Sequence, residues 1–414
     1  MQRRRRVVIT GVGAITSLGH EKTQFWSALC AGKSGIKPIT AFDTSAFDVH
    51  FGGEVSDFEP THWFDVKEAR RLDRFAQFAT AAAVQAVKDA ELSFDGFDKT
   101  RGGVIIGSGM GGLIELEAQY EVLLKKGPSR ISPFLIPKLM VNAAPAQVAI
   151  RFGLKGPNYA LVTACTTGGN AIGEAVRIIQ EGETDIMLAG SSEAVITPLA
   201  MAGFNSMKAL STRNDAPQKA SRPFDKDRDG FVLSEGAGVV VLEEFEIAKK
   251  RGATIYAEVL GYGLNSDAYH IAAPEPNGDG AMRCMISALK DAQCKPEEID
   301  YINAHATSTP IGDNIEMNAV KKVFGLHAPK VPISSTKSML GHQLGASGSV
   351  EVIICSLVIK DGIIPPTINH ETPDPECAGL DFVPNDAREK KVRKALSNSF
   401  GFGGHNACII LGEI

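Results

Sequence analysis

CTTGGNAIGEAVRIIQEG, residues 165–182, aligns with GASGSVEVIICSLVIKDG, residues 345–362, when the chain is shifted by 180 positions. Gly168 then matches Gly348, and Gly182 matches Gly362. In both stretches small, glycine-rich residues lead into an apolar helical pattern. Together with the repeated order of elements around them, this similarity predicts that the chain consists of two similar halves.

Apolar strands that end in glycine alternate with helical segments along the chain. The strand patterns include VVITGVG at 7–13, GGVIIGSG at 102–109, YALVTAC at 159–165 and DIMLAGSSE at 185–193, and a helix is predicted near 23–31. This alternation predicts an α/β architecture with mainly parallel sheets that are covered on both faces. A strand and a helix at 238–252 close the first half, and a new strand opens at 255. We therefore place the halves at 1–254 and 255–414, packed as one body.

The composition is that of an ordinary globular protein. The 414 residues are 44% hydrophobic and 22% charged, and the formal net charge of -5 argues against general nucleic-acid binding. No apolar run reaches the roughly 18–20 residues that span a bilayer. The opening MQRRRR is interpreted as a solvated end, because the apolar stretch after it is too short for a signal peptide. These features predict a cytoplasmic protein without a membrane segment.

The seven cysteines have irregular spacings and form no CxxC pair, which argues against a disulfide framework and against a zinc site. Cys165 differs from the others because it stands where an apolar strand pattern ends and a helix begins. The free N–H groups and the positive dipole end of such a helix favour a thiolate, so we expect a lowered pKa and a nucleophile. The alternative is a buried structural cysteine.

Two histidines and a lysine occupy other turns between strands and helices. His305 ends a strand pattern and precedes a polar turn, with a helix expected from about Asn314; His342 lies in a glycine-punctuated loop that also holds Lys337. Side chains at such exits suggest a site assembled from loops on a rigid scaffold. Neither histidine has HxxxH or HxH spacing, so we predict no metal and no cofactor.

A fourth cluster, NSFGFGGHNA at 398–407, interleaves glycines with Phe400 and Phe402. Such a loop can bend sharply and present backbone N–H groups. It can equally be a simple turn at a strand end.

These clusters, in this order, resemble those of the β-ketoacyl-acyl-carrier-protein synthases of the thiolase-like superfamily, with the elongating type II synthases nearest. The stretches that carry the resemblance are TACTTGGNAIGEA, NAHATSTPIGD, STKSMLGHQLGASG and NSFGFGGHNA. The resemblance implies a five-layered α-β-α-β-α fold of two similar halves, in a homodimer. It also implies a decarboxylative condensation, in which malonyl-carrier protein lengthens an acyl group by two carbons.

By the same resemblance Cys165 carries the acyl chain, and His305 and His342 donate hydrogen bonds to the enolate. Backbone N–H groups of Cys165 and Phe402 form the oxyanion hole, and Phe400 and Phe402 act as a gate. Two further residues take supporting places, since Lys337 sets the electrostatics around His342 and pairs with Glu351. Met110 lines the acyl pocket.

A basic stripe completes the prediction. Lys67, Arg70, Arg71 and Arg74 follow helical spacing and form one face of a helix. On its own such a face is usually just solvated, but acyl carrier proteins are acidic and need a local basic patch. The resemblance places Lys67, Arg70, Arg71 and Lys208 at the docking positions.

Three other functions share parts of this pattern. A polyketide ketosynthase would have the same catalytic residues, and a degradative thiolase would need a second catalytic cysteine near the C-terminus. Cys408 lies in the apolar run ACIIL, which indicates a buried strand instead. A non-catalytic partner subunit would lack the nucleophile.

Overall fold

The computed structural model describes residues 4–414. The predicted solvated arginine end falls partly outside the described residues, at 1–3. Within them, Arg4 is exposed, but Arg5 pairs with Asp185 and Arg6 pairs with Glu258. No helix in the described range is long and apolar enough to cross a membrane.

The strands are β1 (Val7–Ile15), β2 (Lys37–Pro38), β3 (Phe51–Gly52), β4 (Gly102–Gly107), β5 (Asn158–Tyr159), β6 (Ile186–Glu193), β7 (Gly236–Glu244), β8 (Ala257–Ser266), β9 (Tyr301–Asn303), β10 (Ile333–Ser334), β11 (Ile363–Ile364), β12 (Arg388–Glu389), β13 (Lys394–Gly401) and β14 (His405–Gly412). The helices are α1 (Lys22–Cys30), α2 (Val66–Ala69), α3 (Arg74–Asp89), α4 (Leu113–Lys126), α5 (Leu135–Leu139), α6 (Ala143–Phe152), α7 (Thr167–Gln180), α8 (Pro198–Ser206), α9 (Phe245–Lys250), α10 (Asp279–Asp291), α11 (Pro310–Phe324), α12 (Lys337–Leu340) and α13 (Ser347–Asp361).

The main sheet has the same strand order on both sides of its centre. Hydrogen bonds connect β10-β9-β13-β14-β8-β1-β7-β6-β4-β5, so that β8 and β1 meet in the middle. Reading outward, the first half runs β1-β7-β6-β4-β5 and the second runs β8-β14-β13-β9-β10. The orientations agree pair by pair, since the inner pairs are antiparallel and the outer two are parallel in each half. The prediction of two similar halves is confirmed.

The expectation of mainly parallel sheets was wrong. The pairs β1-β7, β6-β7, β8-β14, β13-β14 and β1-β8 are antiparallel, and only the outer strands are parallel. A parallel pair needs a crossover over the sheet. The link from β6 to β7 contains α8, but α8 packs in a separate apolar cluster with Ile36 and Phe51 rather than crossing the sheet. A short turn joins β13 to β14 as a hairpin.

Two buried helices, α7 and α13, form the middle layer, and they are the two stretches that align at 180 positions. Each follows a short 3-10 turn that begins with a left-handed residue, Ala164 (φ 51°) in one half and Leu344 (φ 47°) in the other. At Gly168 an added Cβ would lie 2.3 Å from the backbone nitrogen of Ser349. The two glycine-rich helix starts therefore let the helices meet backbone to backbone.

The outer layers are formed by α3 and α6 on one side and by α10 and α11 on the other, each packed over an apolar cluster. Gly13 of β1 lies under α3, where a Cβ would be 2.0 Å from the carbonyl oxygen of Ala82. Gly263 of β8 lies in the same way under α10, 2.3 Å from the carbonyl oxygen of Cys284. The two halves of the main sheet form the two β layers, so the chain has the five-layered α-β-α-β-α arrangement that the resemblance implies.

Candidate active site

Cys165 lies in a strained turn at the start of α7. The paired strand before it is shorter than predicted, since β5 ends at Tyr159 and the chain reaches Cys165 through irregular backbone. Ala164 has a positive φ of 51°, a conformation that costs a non-glycine residue about 1–3 kcal/mol and persists only where the surroundings impose it. Threonine side chains provide that restraint, since Thr167 Oγ1 donates to the Ala164 carbonyl at 2.7 Å and accepts from Thr163 N at 2.9 Å.

His342 contacts the thiol directly. Its Nε2 lies 3.1 Å from Cys165 Sγ, and its Nδ1 lies 3.0 Å from Ser347 Oγ in the first turn of α13. Its backbone is held by an N–H to the carbonyl of Val232 and by the N–H of Ser234 to its own carbonyl. Both ring nitrogens and the main chain are thus fixed before any substrate binds.

His305 faces the same point from the loop that follows β9. Its ring lies 5.3 Å from that of His342, centroid to centroid, in an edge-on arrangement. Its backbone N–H donates to Glu316 Oε1 at 3.0 Å, and its Nδ1 is buried without a partner among the described residues. The helix after it begins at Pro310, four residues before the expected start near Asn314, because Pro310 suits the first helical position.

Lys337 and Glu351 form the buried ion pair that the resemblance implies. Lys337 Nζ donates to Glu351 Oε1, and both side chains are only 2% exposed. Burial raises the pKa of the Glu351 carboxyl to about 7, while Lys337 acts in the opposite direction. The pair lies close enough to the reacting groups for Lys337 to shift the pKa values of both histidines and of the thiol.

The histidines are neutral in this environment. Burial lowers the pKa of His342 well below its usual value, and the Lys337 charge lowers it further. Burial also lowers the pKa of His305 well below its usual value, and the Lys337 charge and His342 lower it further. A neutral imidazole has one donor and one acceptor nitrogen, so each ring can still give one hydrogen bond.

The expected low pKa of Cys165 was wrong for the substrate-free site. Burial raises the pKa of the thiol to about 11, and this outweighs the lowering by the Phe402 and Cys165 N–H groups and by Lys337. The sequence correctly placed the thiol before a helix start. It could not show that the thiol is also taken out of water.

The Phe402 segment lies against the nucleophile. Hydrogen bonds from its N–H and from that of Cys165 lower the pKa of the thiol. The Phe402 side chain is 37% exposed, and the Phe400 ring lies 6.0 Å from the His305 ring. Gly403 (φ 83°) follows, and its N–H donates to the carbonyl of Ile271 at 2.7 Å. The two phenylalanines are therefore placed at the cavity wall, one beside each reacting group.

These groups line one cavity of about 430 Å³. Cys165, both histidines, Phe400 and Phe402 line it, and Met110 also lies on its wall. Glu316, which sequence reasoning missed, also reaches it. Glu316 is 2% exposed, accepts from the N–H groups of His305 and Ala306, and has a pKa that burial raises to about 7. Its signal was an acidic residue two turns into the helix, on the same face as the apolar Met317 and Val320.

Comparison with known proteins agrees with this geometry. Residues 4–248 match the family described as "Beta-ketoacyl synthase, N-terminal domain", and residues 256–371 match "Beta-ketoacyl synthase, C-terminal domain". This chain belongs to the β-ketoacyl synthase family. It is a condensing enzyme of the acyltransferase class, as the sequence predicted.

Individual relatives span the full length of this synthase. A protein of Coxiella burnetii named 3-oxoacyl-[acyl-carrier-protein] synthase 2 is 53% identical over 411 residues, 99% of each chain. The solved structure of the ishigamide ketosynthase/chain length factor has a TM-score of 0.92 and 41% identity, with 99% of this chain and 100% of that chain covered. A type II polyketide ketosynthase solved with its acyl-carrier protein has a TM-score of 0.91 and 36% identity, with the same coverage.

The predicted docking residues of the synthase lie on its surface, with one correction. Lys67, Arg70 and Arg71 are exposed, as is Lys208. The four-residue helical stripe was wrong, because α2 ends at Ala69 and a new helix starts at Arg74. Arg74 is turned inward, where its Nη2 donates to Glu235 at 2.9 Å.

The synthase also holds a set of potential metal ligands. Cys165 Sγ and a ring nitrogen from each of His305 and His342 lie within 4.8 Å of one another. Their geometry could receive an ion. However, His342 already uses both ring nitrogens, and the Lys337 charge opposes a second cation nearby. The absence of a metal remains a prediction.

Proposed function

We propose that this chain is a 3-oxoacyl-[acyl-carrier-protein] synthase that elongates fatty acyl chains by two carbons, with Cys165 as the acyl carrier. The observation that carries the proposal is the thiol 3.1 Å from His342 Nε2, with a second neutral imidazole facing the same cavity. A single Cys–His pair would serve acyl transfer alone. The second histidine gives the site two donors for an enolate.

In the first step, the Cys165 sulfur attacks the thioester carbonyl of an acyl-carrier protein. A new S–C bond forms, the bond to the carrier sulfur breaks, and the proton of the Cys165 thiol goes to that leaving sulfur. The N–H groups of Cys165 and Phe402 stabilise the oxyanion. Removing one such donor typically costs about 2.7–4 kcal/mol of transition-state stabilisation. The raised thiol pKa means that deprotonation accompanies attack instead of preceding it.

In the second step, malonyl-carrier protein binds and its C–C bond to the carboxylate breaks, releasing CO2. The electron pair becomes an enolate whose oxygen accepts hydrogen bonds from His305 and His342. Their low pKa values keep both rings neutral, and each neutral ring has one N–H to donate. The enolate carbon then attacks the acyl group on Cys165, the S–C bond breaks, and the released thiolate takes a proton from solvent.

Lys337 and Glu351 take a supporting place in this proposal. The ammonium lowers the pKa of both histidines, while the carboxylate holds it in position. Phe400 and Phe402 act as the gate between the two substrates, and Met110 limits the acyl pocket. The N-terminal half, 1–254, carries the nucleophile, and the C-terminal half, 255–414, carries both histidines.

The partners follow from the surface. The exposed cations Lys67, Arg70, Arg71 and Lys208 would bind an acidic acyl carrier protein, and Met207 beside Lys208 lines the cavity. A related ketosynthase is known in complex with its acyl-carrier protein. Seven free thiols favour a reducing compartment, which supports a cytoplasmic location.

A homodimer would cover the outer edge of the first half. β5 is an edge strand there, and large apolar side chains of β5 and of the segments before and after it in the sequence are exposed. They are Leu124, Phe134, Ile136, Tyr159 and Val162, each at least 37% exposed. Ile136→Glu should shift the sedimentation coefficient toward the monomer. Leu326→Glu is the matched control, since Leu326 is 95% exposed but far from this edge in the fold. An unchanged dimer in Ile136→Glu would contradict this interface.

The main test measures both steps. Radiolabelled malonyl-carrier protein reports CO2 release, and mass spectrometry of the enzyme mixed with acyl-carrier protein locates the acyl adduct. We expect the adduct on Cys165 and none on Cys294, a more exposed thiol that serves as an internal control. Absence of both CO2 and adduct would reject the proposal.

A polyketide ketosynthase is the second candidate, because one solved structure that resembles this chain is a type II polyketide ketosynthase and another is a ketosynthase/chain length factor. Their identities of 41% and 36% are lower than the 53% of the relative named 3-oxoacyl-[acyl-carrier-protein] synthase 2. A substrate test separates the two functions, since only a polyketide enzyme would extend unreduced 3-oxoacyl chains. A thiolase is disfavoured, because Cys408 is fully buried in β14 and does not line the cavity.

A further inference from the structure

A buried carboxylate lies directly behind the cavity wall. Glu193 is the last residue of β6, and its side chain is fully buried. Oε1 accepts from Ser108 Oγ at 2.7 Å and from Met110 N at 3.1 Å, and Oε2 accepts from Gly109 N at 2.8 Å and from Gly345 N at 3.0 Å. All four donors are uncharged, so the carboxylate is stabilised by hydrogen bonds alone.

The four donors come from two different parts of the chain. Ser108, Gly109 and Met110 belong to the turn after β4, whereas Gly345 lies three residues after His342. Of these segments, Gly109, Met110 and Leu344 line the cavity. One carboxylate therefore joins the acyl pocket wall in the first half to the segment that carries a catalytic histidine in the second.

The backbone around Glu193 is shaped to receive it. A Cβ at Gly109 would lie 2.8 Å from Oε2, and a Cβ at Gly345 would lie 2.7 Å from the same oxygen. Any side chain at either position would push the carboxylate away. Charge-assisted hydrogen bonds are stronger than neutral ones, which gives this buried junction its rigidity.

We propose that Glu193 is a positioning residue that fixes the acyl pocket wall at Met110 and Leu344, and thereby sets the preference for acyl chain length. The proposal rests on the acylation of Cys165 described above. Short acyl groups end before the wall, whereas long ones pack against it. A loosened wall should therefore affect long chains most.

Glu193 also acts on the nucleophile through its charge. The negative carboxylate raises the pKa of the Cys165 thiol, although burial is the larger cause. Removing the charge should therefore move thiol reactivity toward lower pH. A residue that only supported the fold would produce no such shift.

The test is Glu193→Gln in the full-length chain, with acylation of Cys165 followed by mass spectrometry. The amide keeps one acceptor oxygen but turns a donor toward the N–H groups of Gly109 and Gly345. We expect the rate with dodecanoyl-carrier protein to fall about tenfold and the rate with butyryl-carrier protein to fall less than about threefold. The pH profile of iodoacetamide alkylation should move to lower pH.

Ser192→Ala is the matched control. Ser192 is the neighbouring residue of the same strand and is equally buried, but its hydroxyl has no partner among the described residues. Its ratio of long-chain to short-chain rates should equal that of the wild type. Should Glu193→Gln not fold, Ser108→Ala removes one bond to the carboxylate and should change the ratio in the same direction.

Equal losses with both chains, or an unchanged ratio, would overturn the proposal. Failure of the wild-type enzyme to form any adduct at Cys165 would instead reject the proposed function. The acylation assay of the wild-type enzyme therefore distinguishes failure of this proposal from failure of the proposed function.

Discussion

Replacing Lys337 by Met tests the buried pair that supports the catalytic histidines. Lys337 and Glu351 are each 2% exposed, and the second carboxylate oxygen of Glu351 has no partner among the described residues. Lys337→Met would leave this carboxylate in a dry interior without its counter-ion. Breaking a buried pair by removing one partner costs about 3–5 kcal/mol of stability.

The stability lost in Lys337→Met should depend on pH, and the direction of this dependence follows from the pKa of Glu351 in the folded and unfolded states. The Glu351 pKa, raised to about 7 in the native protein, goes higher when the ammonium is removed. A carboxyl whose folded-state pKa is raised contributes stability below its unfolded value, and that stability is lost as pH rises through the folded value. The native protein completes this loss near pH 7, whereas the variant continues to lose stability above it. The deficit should therefore grow by about 2 kcal/mol between about pH 6.5 and 8.5.

Urea unfolding followed by circular dichroism at these two pH values gives the free energy of unfolding. Lys337→Met/Glu351→Leu should recover most of the loss, because a well-packed apolar pair can replace a buried ion pair at little cost. Lys290→Met, an exposed lysine on α10, controls for loss of a surface charge. A deficit equal at both pH values, or a double variant as unstable as the sum of the singles, would refute the reasoning.

Three further outcomes are expected. Cys165→Ala should lose acylation while CO2 release from malonyl-carrier protein continues. His305→Ala should keep acylation but lose CO2 release, and an unchanged CO2 rate would show that His305 does not stabilise the enolate. Arg70→Glu/Arg71→Glu should raise KM for carrier-bound substrate several-fold at low salt, and an unchanged KM would reject docking at this patch. Ala164→Val should slow acylation by more than about tenfold, since a β-branched residue fits poorly at a φ of 51°, whereas Ala164→Gly should acylate normally. Equal rates in the two Ala164 variants would show that the turn geometry does not limit the reaction.

Most of the fold could be predicted because local sequence determines it. The paired glycines of β1 and β8 and the glycine-rich starts of α7 and α13 mark close backbone approaches, and these repeat in both halves. Strand direction could not be predicted in the same way. It depends on where the long segment between β6 and β7 folds, and α8 in that segment packs away from the sheet.

The site divides along similar lines. Turn residues that carry chemistry, such as Cys165 and His305, could be found because strand-to-helix exits have a clear pattern. The prediction of one basic helical stripe was wrong because of a single residue, Asp73, whose effect could have been read from the sequence. Asp73 caps α3 by accepting from Phe75 N, so it starts a new helix and turns Arg74 away from the others. An aspartate directly before an apolar helical run is a known start signal.

Burial explains the remaining errors and much of the chemistry. Whether the pKa of a thiol is lowered or raised depends on how far the thiol is removed from water. That burial results from the packing of the two halves against each other. The same burial that raises the pKa of Cys165 lowers those of both histidines, so the resting site holds a neutral thiol beside two neutral rings. Such a site has no stable thiolate that could react with water or oxidants. The proton must therefore leave the thiol as the thioester arrives, and the departing carrier sulfur is its acceptor.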